Sequence, residues 1–296
     1  MKSKKAPYFF IAPALILLFF FSILPIFIAL IISFTDMSLA GLADYSRINF
    51  MGVENYTNIL SDPSFRQSIL NTIYYVIIGV PLVVALSMGI AILINMGKGK
   101  FFSFMRLIFY SPSITNIVAI AIVWSFLFNP SDSIGLFNRL LHTIGLGPIA
   151  WLQDPRIAKL SLIILAVWRG IGINMLIFSA ALTNIPKTMY EAAELDGATQ
   201  LQQIRYITIP QLKFSTFFVI VTTLIGWLQF FEEPFVMTEG GPLNSTLSVS
   251  LFIYRNGFQL NNFGYAAAGS LILFVVIIIA TLFQMKIQRK EEENTI

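Results

Sequence analysis

The sequence predicts an all-α integral membrane protein that crosses the bilayer six times. Its 296 residues are 56% hydrophobic and only 11% charged, and the mean hydropathy is +0.78. A soluble domain of this length cannot bury so much apolar surface, and several apolar runs exceed the roughly 18 residues that mark a transmembrane helix. Backbone groups in lipid must be satisfied internally, so we expect helices; a β-barrel would show alternating segments of about 10 residues.

Six predicted spans account for the apolar runs in chain order. Each approaches or exceeds the ~20 residues that cross ~30 Å of hydrocarbon. They are Tyr8–Phe34, Ile69–Ile94, Leu107–Phe128, Leu160–Leu182, Phe214–Phe231 and Tyr265–Phe283. The first span follows three lysines, as a signal peptide would. Its apolar run is longer than the about 7–15 residues of a signal sequence, so we expect it to be retained.

The distribution of Lys and Arg between the connecting segments predicts the orientation. With the N-terminus in the cytoplasm, the inside segments carry twelve of the 19 basic residues and the outside segments carry six. Short loops with more positive charge stay inside, so both termini are predicted to be cytoplasmic. The inside residues are Lys2, Lys4, Lys5, Lys98, Lys100, Arg106, Lys187, Arg205, Lys213, Lys286, Arg289 and Lys290.

Three predicted outside loops, each about thirty residues long, join the spans. They cover residues 35–68, 129–159 and 232–264. Loops of this length are usually structured or functional. They either form a docking face for an extracellular protein or serve as solvated connectors with short interfacial helices. We expect a single transmembrane domain over residues 1–296.

A polar and charged segment, residues 184–212, separates the fourth and fifth spans. Its first part is rich in Glu and Ala and follows a proline that suits a first helical turn, so we expect a helix from Lys187–Leu195. Gly197 accepts the left-handed conformation that ends a helix. Thr199 is a good N-cap for a second short helix over Gln200–Tyr206. The segment is therefore predicted to be a helix-turn-helix outside the bilayer.

The same segment resembles the EAA motif of the membrane subunits of bacterial binding-protein-dependent ABC importers. Glu191-Ala192-Ala193 is followed after three residues by Gly197, and after nine more by Ile207 and then Pro210. Ile209 stands where the family usually has Leu, which is a conservative difference. The resemblance covers nearly the whole chain and is closest to carbohydrate permeases of the maltose-transport type. Further matching stretches are 168–170, 185–186, 238–242 and 263–268.

This resemblance implies the type I ABC importer permease fold and a coupling role for segment 184–212. The two short helices would lie in a groove of an ATP-binding subunit. Closure of the ATPase dimer would then switch the spans between inward-facing and outward-facing states. The implied coupling residues are Glu191, Ala192, Ala193, Asp196, Gly197, Ile207 and Pro210.

The resemblance also implies an assembly in the bacterial cytoplasmic membrane. The chain would work with a second homologous permease, two ATP-binding subunits and an extracellular or periplasmic solute-binding protein. Its other contacts would be membrane lipid and a carbohydrate, with no nucleic acid. The sequence has no GxxxxGK[ST] phosphate loop, so ATP and Mg²⁺ would be bound by the partner subunits, and the chain itself would hold no cofactor and catalyse no reaction. Cysteine is absent and His142 is the only histidine, so no metal site is predicted.

Arg169 is the sharpest single candidate for cargo binding. A cation in mid-span costs ~2.5–3.5 kcal/mol on insertion scales, so it should face a cavity or a partner. It either contacts cargo or holds helices together by pairing with a carboxylate or with backbone carbonyls. Glu232 and Glu233 could pair with it, or they could close the outer end of a cavity. In the family this level of the fourth span contributes to the sugar site, which implies Gly170 and Ile173 as well.

The fifth span places further cargo candidates on one helical face. Thr223, Gly226, Trp227 and Phe230 recur at positions i, i+3, i+4 and i+7. The aromatic rings could pack on the C–H faces of a sugar, while Thr223, Gln229 and Asn174 could hydrogen-bond its hydroxyl groups. The alternative for the two aromatic residues is ordinary packing against lipid or other helices.

These features together predict the transmembrane subunit of an ABC importer that translocates a di- or oligosaccharide. The alternative is an ion-coupled secondary transporter of a small polar solute. Such a transporter would carry buried Asp, Glu or His along its pathway. The predicted spans have no carboxylate at mid-span, and their one embedded charge is the cation of Arg169. The importer is therefore the preferred interpretation.

Overall fold

The structure, a computed structural model, describes residues 6–97, 99–131, 133 and 135–293. The α-helices in chain order are α1 (Ala6–Leu18), α2 (Leu24–Ile32), α3 (Leu39–Ala43), α4 (Glu54–Ser61), α5 (Pro63–Met96), α6 (Lys100–Ile114), α7 (Ile117–Leu127), α8 (Leu136–Thr143), α9 (Ala158–Thr183), α10 (Lys187–Leu195), α11 (Gln200–Gln203), α12 (Ile209–Gln211), α13 (Lys213–Leu228), α14 (Glu232–Met237), α15 (Val249–Tyr254) and α16 (Phe263–Glu293). Single π or 3₁₀ turns lie at Phe19–Ile23, Tyr45–Arg47, Ile204–Thr208 and Arg255–Gln259. Four lysines used for the predicted orientation, Lys2, Lys4, Lys5 and Lys98, lie outside the described residues.

Five helical stretches in the described part of the chain are long and apolar enough to cross a membrane. They are Tyr8–Ile32, Pro63–Met96, Ala158–Thr183, Lys213–Met237 and Phe263–Lys290. They coincide with the predicted first, second, fourth, fifth and sixth spans. A sixth crossing is obtained if the bent pair α6–α7 counts as one span. The all-α membrane architecture is therefore confirmed, while the orientation of the termini stays a prediction.

The predicted third span, Leu107–Phe128, is not one continuous helix. Helices α6 and α7 are separated by Thr115 and Asn116, and the chain bends by 100° between them. Thr115 is extended, and Asn116 caps α7 by accepting the backbone N–H groups two and three residues on, at 2.9 and 3.4 Å. Apolar composition predicted a crossing here. The break was missed because hydropathy does not register a capping side chain that competes with the helical ladder.

The described residues form two compact units. Unit 1 contains the chain up to Arg66 together with Phe252–Val276, and unit 2 contains Gln67–Leu251 and the residues from Ile277 onward. The single transmembrane domain stays a prediction, since each unit is compact by itself.

In unit 1, the segment that follows the first span is folded. The buried amide of Asn55 donates to the backbone carbonyls of Ser33 and Thr35 at 2.9 and 2.8 Å, which holds the chain where α2 ends. The backbone N–H of Gly264 donates to the carbonyl of Met37 at 3.0 Å. A Cβ at Gly264 would collide with the carbonyl of Thr35, so this approach requires glycine.

In unit 2, the core surrounds α9, which packs against α6, α13 and α14. Phe178 and Met175 on α9 and Tyr75 on α5 are fully buried in this core. Ser87 on α5 donates a hydrogen bond to the carbonyl of Ile171 at 3.3 Å. Because α9 contacts several neighbours at once, the buried residues in its middle are placed by tertiary packing.

Candidate functional site

A cavity of about 580 Å³ lies in unit 2 beside the middle of α9. Side chains of α5, α6, α9, α13 and the start of α14 line it. All eight residues predicted to bind cargo lie on its wall: Arg169, Gly170, Ile173, Asn174, Thr223, Gly226, Trp227 and Phe230. The helical spacing of Thr223, Gly226, Trp227 and Phe230 predicted that they share one face of the fifth span. The structure shows in addition that this face is directed towards α9. That these residues bind cargo stays a prediction.

Arg169 is paired with two carboxylates of α14. Its Nη2 atom donates to Glu232 Oε2 at 3.0 Å and lies 3.3 Å from Glu233 Oε1. The contact with Glu233 is an ion pair only, because Glu233 Oε1 accepts no hydrogen bond from the described residues. Glu233 is 2% exposed, whereas Glu232 is half exposed. The ion pair therefore links α9 to α14, which matches the helix-pairing interpretation of Arg169.

Ser113 on α6 contacts the backbone of α9 beside the cavity. Its hydroxyl donates to the carbonyl of Arg169 at 2.5 Å and accepts from the N–H of Ile173 at 3.2 Å. In a regular helix these two backbone groups bond to each other. Gly172 permits the close approach, because a Cβ there would collide with the carbonyl of Phe109 and the hydroxyl of Ser113. Ser113 and Gly172 were not among the predicted residues, since no local sequence pattern identifies a partner on another helix.

The two predicted aromatic residues are packed in the core as well as lining the cavity. Trp227 and Phe230 stack with ring centroids 5.1 Å apart and planes 12° apart, and Phe230 also packs on Tyr75 at 4.7 Å. They are 7% and 6% exposed. Gly79 on α5 lies directly against the indole, which would collide with a Cβ there. Both interpretations of these aromatics thus have a structural basis.

The polar groups of the cavity differ in how well they are satisfied. Asn174 donates its side-chain amide to the carbonyl of Gly170 at 2.8 Å, so its amide oxygen is the part left for a ligand. Thr223 Oγ1 is buried and has no hydrogen-bond partner among the described residues. A buried hydroxyl without a partner is destabilising by about 1–3 kcal/mol. Tyr110 and Glu233 also line the cavity and were not among the predicted cargo residues.

Segment 184–212 folds largely as its local sequence predicts. Helix α10 has the predicted bounds, Lys187–Leu195, and Gly197 has a φ of +78°. The N–H of Ala198 donates to the carbonyl of Ala193 at 2.9 Å, and the N–H of Gly197 donates to that of Glu194 at 3.0 Å. This pair of bonds is a Schellman motif, which ends a helix by satisfying its last carbonyls.

The second helix begins at the predicted cap but continues further than expected. Thr199 Oγ1 accepts from the N–H of Gln202 at 3.4 Å, and the Gln202 side chain accepts from the N–H of Thr199 at 2.7 Å, forming a capping box. The predicted end near Tyr206 is wrong, because α11 runs through a π turn into α12. Pro210 therefore lies inside a continuous helical path. The wider turn before it is one way to accommodate a residue without an N–H.

The predicted coupling residues divide between the surface and the interior of unit 2. Glu191, Ala192, Asp196, Gly197 and Pro210 are exposed, while Ala193 and Ile207 are partly buried. Ile207 packs against the core.

Two leucines that the motif does not include flank the Gly197 turn. Leu195 is 90% exposed and Leu201 is 75% exposed. On the other side of the segment, Tyr190 shares a 2.9 Å hydrogen bond with the buried hydroxyl of Thr208, which joins α10 to the following π turn. The segment is thus anchored on one side and presents apolar side chains on the other. The sequence did not predict this apolar surface, because Leu195 and Leu201 are isolated among polar and charged residues.

Comparison with known proteins agrees with this architecture. Residues 57–292 match the family described as the binding-protein-dependent transport system inner membrane component. The probable ABC transporter permease protein YurN of Bacillus subtilis is 34% identical, over 99% of each chain. The lactose transport system permease protein LacF of Rhizobium radiobacter is 33% identical, over 96% of this chain and 94% of the relative.

Another relative is the arabinooligosaccharides transport system permease protein AraP of Halalkalibacterium halodurans, which is 34% identical over 95% of this chain and 87% of its own length. Among solved structures, the fold is similar to a chain of the bacterial alginate ABC transporter in complex with an alginate pentasaccharide-bound periplasmic protein. That match has a TM-score of 0.79, 24% identity, and coverage of 96% of this chain and 94% of the other.

Proposed function

The chain belongs to the family of binding-protein-dependent transport system inner membrane components, and we propose that it is the membrane-spanning subunit of an ATP-driven importer of a di- or oligosaccharide. The observation that carries the proposal is the family match over residues 57–292, which includes every candidate span except the first. Relatives named as permeases for lactose and for arabinooligosaccharides support the sugar class. An ion-coupled secondary transporter is not favoured by this family membership.

Segment 184–212 is the part of the chain through which an ATPase would act. A short helix, a Schellman turn and a capping box fix its shape locally, and the Tyr190–Thr208 hydrogen bond joins its two helical parts. The exposed Leu195 and Leu201 supply the apolar contact that a partner groove would bury. The exposed motif residues would supply polar contacts around them, with Ile207 acting from the inside as an anchor.

The cavity beside α9 is the proposed cargo site. Its aromatic residues offer faces for sugar C–H groups, and the unpartnered hydroxyl of Thr223 offers a hydrogen bond that the folded chain leaves unmade. Sites of this kind combine an apolar lining with a few polar groups that orient the ligand.

The proposed assembly contains four kinds of component besides lipid. This chain would pair with a second homologous permease, two separate subunits would bind and hydrolyse ATP with Mg²⁺, and a solute-binding protein would deliver the saccharide from outside. The chain would lie in the bacterial cytoplasmic membrane with both termini inside, and it would need no cofactor of its own.

Reconstitution of the complete complex in proteoliposomes tests this function. Radiolabelled lactose, maltotriose and arabinotriose serve as probes, with ATP inside the vesicles and the binding protein outside. We expect uptake of at least one probe to require both, and to stop when the phosphate-loop Lys of the ATPase subunit is replaced by Ala. Uptake that persists without ATP in the presence of an ion gradient would refute the proposal.

A further inference from the structure

We propose that the cavity beside α9 accepts uncharged saccharides and excludes acidic ones, because its one cationic side chain is already engaged by carboxylates of the same chain. This inference rests on the proposed function and adds the charge class of the cargo. Family membership does not decide the point, since one relative is named for lactose and the structurally similar transporter is named for alginate, an acidic polysaccharide.

The charges on the wall of the cavity carry the argument. Among its lining residues, all of which lie in the described part of the chain, Arg169 is the only cation and Glu233 is the only carboxylate. Glu232 adds a second carboxylate, bonded to the same Nη2 atom at 3.0 Å. One guanidinium therefore faces two carboxylates, so the pair of helices has no uncompensated positive charge to offer an anion.

An acidic saccharide would have to compete with these carboxylates. A uronate or phosphate group that approached Arg169 would displace Glu232, which is half exposed, and would then stand beside Glu233, which is 2% exposed. Like charges in a poorly solvated site repel strongly, because the surrounding dielectric constant is low. This repulsion weakens the binding of an acidic saccharide and leaves the binding of an uncharged one unaffected.

The remaining wall suits hydroxyl groups and C–H faces instead. Thr223 Oγ1 and the amide oxygen of Asn174 are neutral hydrogen-bonding groups, and Trp227 and Phe230 provide aromatic surface. None of these four requires a charge on the ligand. Glu232 and Glu233 are thus assigned as specificity-determining residues that act by occupying Arg169.

The test uses two α-1,4-linked disaccharides that differ only at C6 of each ring, where galactobiose has a hydroxymethyl group and digalacturonate has a carboxylate. Binding to the complete complex is measured by calorimetry in lipid nanodiscs, without nucleotide and without the solute-binding protein, so that the binding protein does not preselect the ligand. We expect digalacturonate to bind the wild-type complex at least about tenfold more weakly than galactobiose, which is a difference of about 1.4 kcal/mol.

Release of Arg169 should largely remove this preference. The double variant Glu232→Gln with Glu233→Gln should gain about tenfold in affinity for digalacturonate, and adding Arg169→Met should remove the gain. Glu232→Gln alone is the milder variant, because it leaves the buried partner in place, and it should give a smaller gain. Glu54→Gln removes an exposed carboxylate of α4 that does not line the cavity, and it should leave the ratio of affinities unchanged.

Two results would overturn the inference. One is equal or tighter binding of digalacturonate by the wild-type complex; the other is no gain of digalacturonate affinity in either glutamine variant that still assembles with the ATPase. Failure of the proposed function would look different, since ATP-driven uptake of every saccharide would then be absent whatever the charge preference of the cavity.

Discussion

Substitution of Gly197 alters the turn between α10 and α11 without creating a clash inside the chain. Its φ is +78°, and a Cβ at this position would meet no atom within 4 Å. The left-handed conformation is unfavourable for an L-residue by roughly 1–2 kcal/mol. Gly197→Ala should therefore shift the equilibrium away from the native turn by about 5–30-fold, with no change in core packing.

Three variants of Gly197 distinguish the effect of backbone conformation in the turn from the effect of the side chain that the turn presents to a partner. Asn tolerates the left-handed region better than Ala, so Gly197→Asn should retain more ATP-driven uptake than Gly197→Ala. Asp shares that tolerance but adds a charge beside Glu194 and Asp196, which are both exposed. A charge that must be desolvated in a partner groove is costly. Gly197→Asp should therefore lose the ATPase subunit while the chain still inserts into the membrane.

The assay has three readouts on the same preparations. Membrane insertion is followed by recovery of the chain in detergent, ATPase attachment by affinity co-purification, and coupling by saccharide uptake in proteoliposomes. We expect insertion to be equal for all variants. Unchanged uptake and unchanged complex recovery in Gly197→Asp would refute the coupling role of the turn.

Further substitutions test the docking surface, the helix packing and the cavity. Leu195→Ala should weaken ATPase attachment by roughly 10–100-fold, because burying a leucine side chain contributes about 1.5–3 kcal/mol; equal recovery in a competitive pull-down would argue against an apolar contact there. Gly172→Ala should separate α6 from α9 and destabilise the complex by about 1–3 kcal/mol in thermal unfolding. Gly89→Ala is the control, because its Cβ would meet nothing within 4 Å, and it should leave the stability of the complex unchanged. Equal destabilisation by the two substitutions would contradict the packing argument. Trp227→Ala should reduce saccharide uptake and leave the ATPase attached, whereas loss of assembly would identify the indole as a packing residue alone.

Local chemistry made segment 184–212 predictable from sequence. A helix of Glu and Ala after a proline, a glycine that accepts positive φ, and a threonine followed three residues later by glutamine each act within a few residues. The structure accordingly has α10 at its predicted bounds and a capping box at Thr199. The end of the second helix was mispredicted because the π turn at Ile204–Thr208 leaves no local signature.

Long-range contacts were beyond sequence reasoning. Gly172 and Gly79 look like any helical glycines, and their need to be glycine comes from α6 and from the Trp227 ring respectively. The charge of Arg169 did predict a polar partner, because an unpaired cation in a span is costly. Glu232 and Glu233 were both named as possible partners, and Arg169 forms an ion pair with each of them.

The hydroxyl of Ser113 bonds to two backbone groups of α9 at the level of Arg169, within a helix that is continuous over Ala158–Thr183. A membrane helix resists bending because any carbonyl or amide released from its ladder would be left without a partner in hydrocarbon. Kinks form where a side chain enters that ladder, and here one oxygen from α6 already satisfies the carbonyl of Arg169 and the amide of Ile173. A bend of α9 at this level would therefore leave both backbone groups bonded to the Ser113 hydroxyl. Such a bend would shift the part of the cavity wall that α9 contributes relative to the parts contributed by α5, α6 and α13.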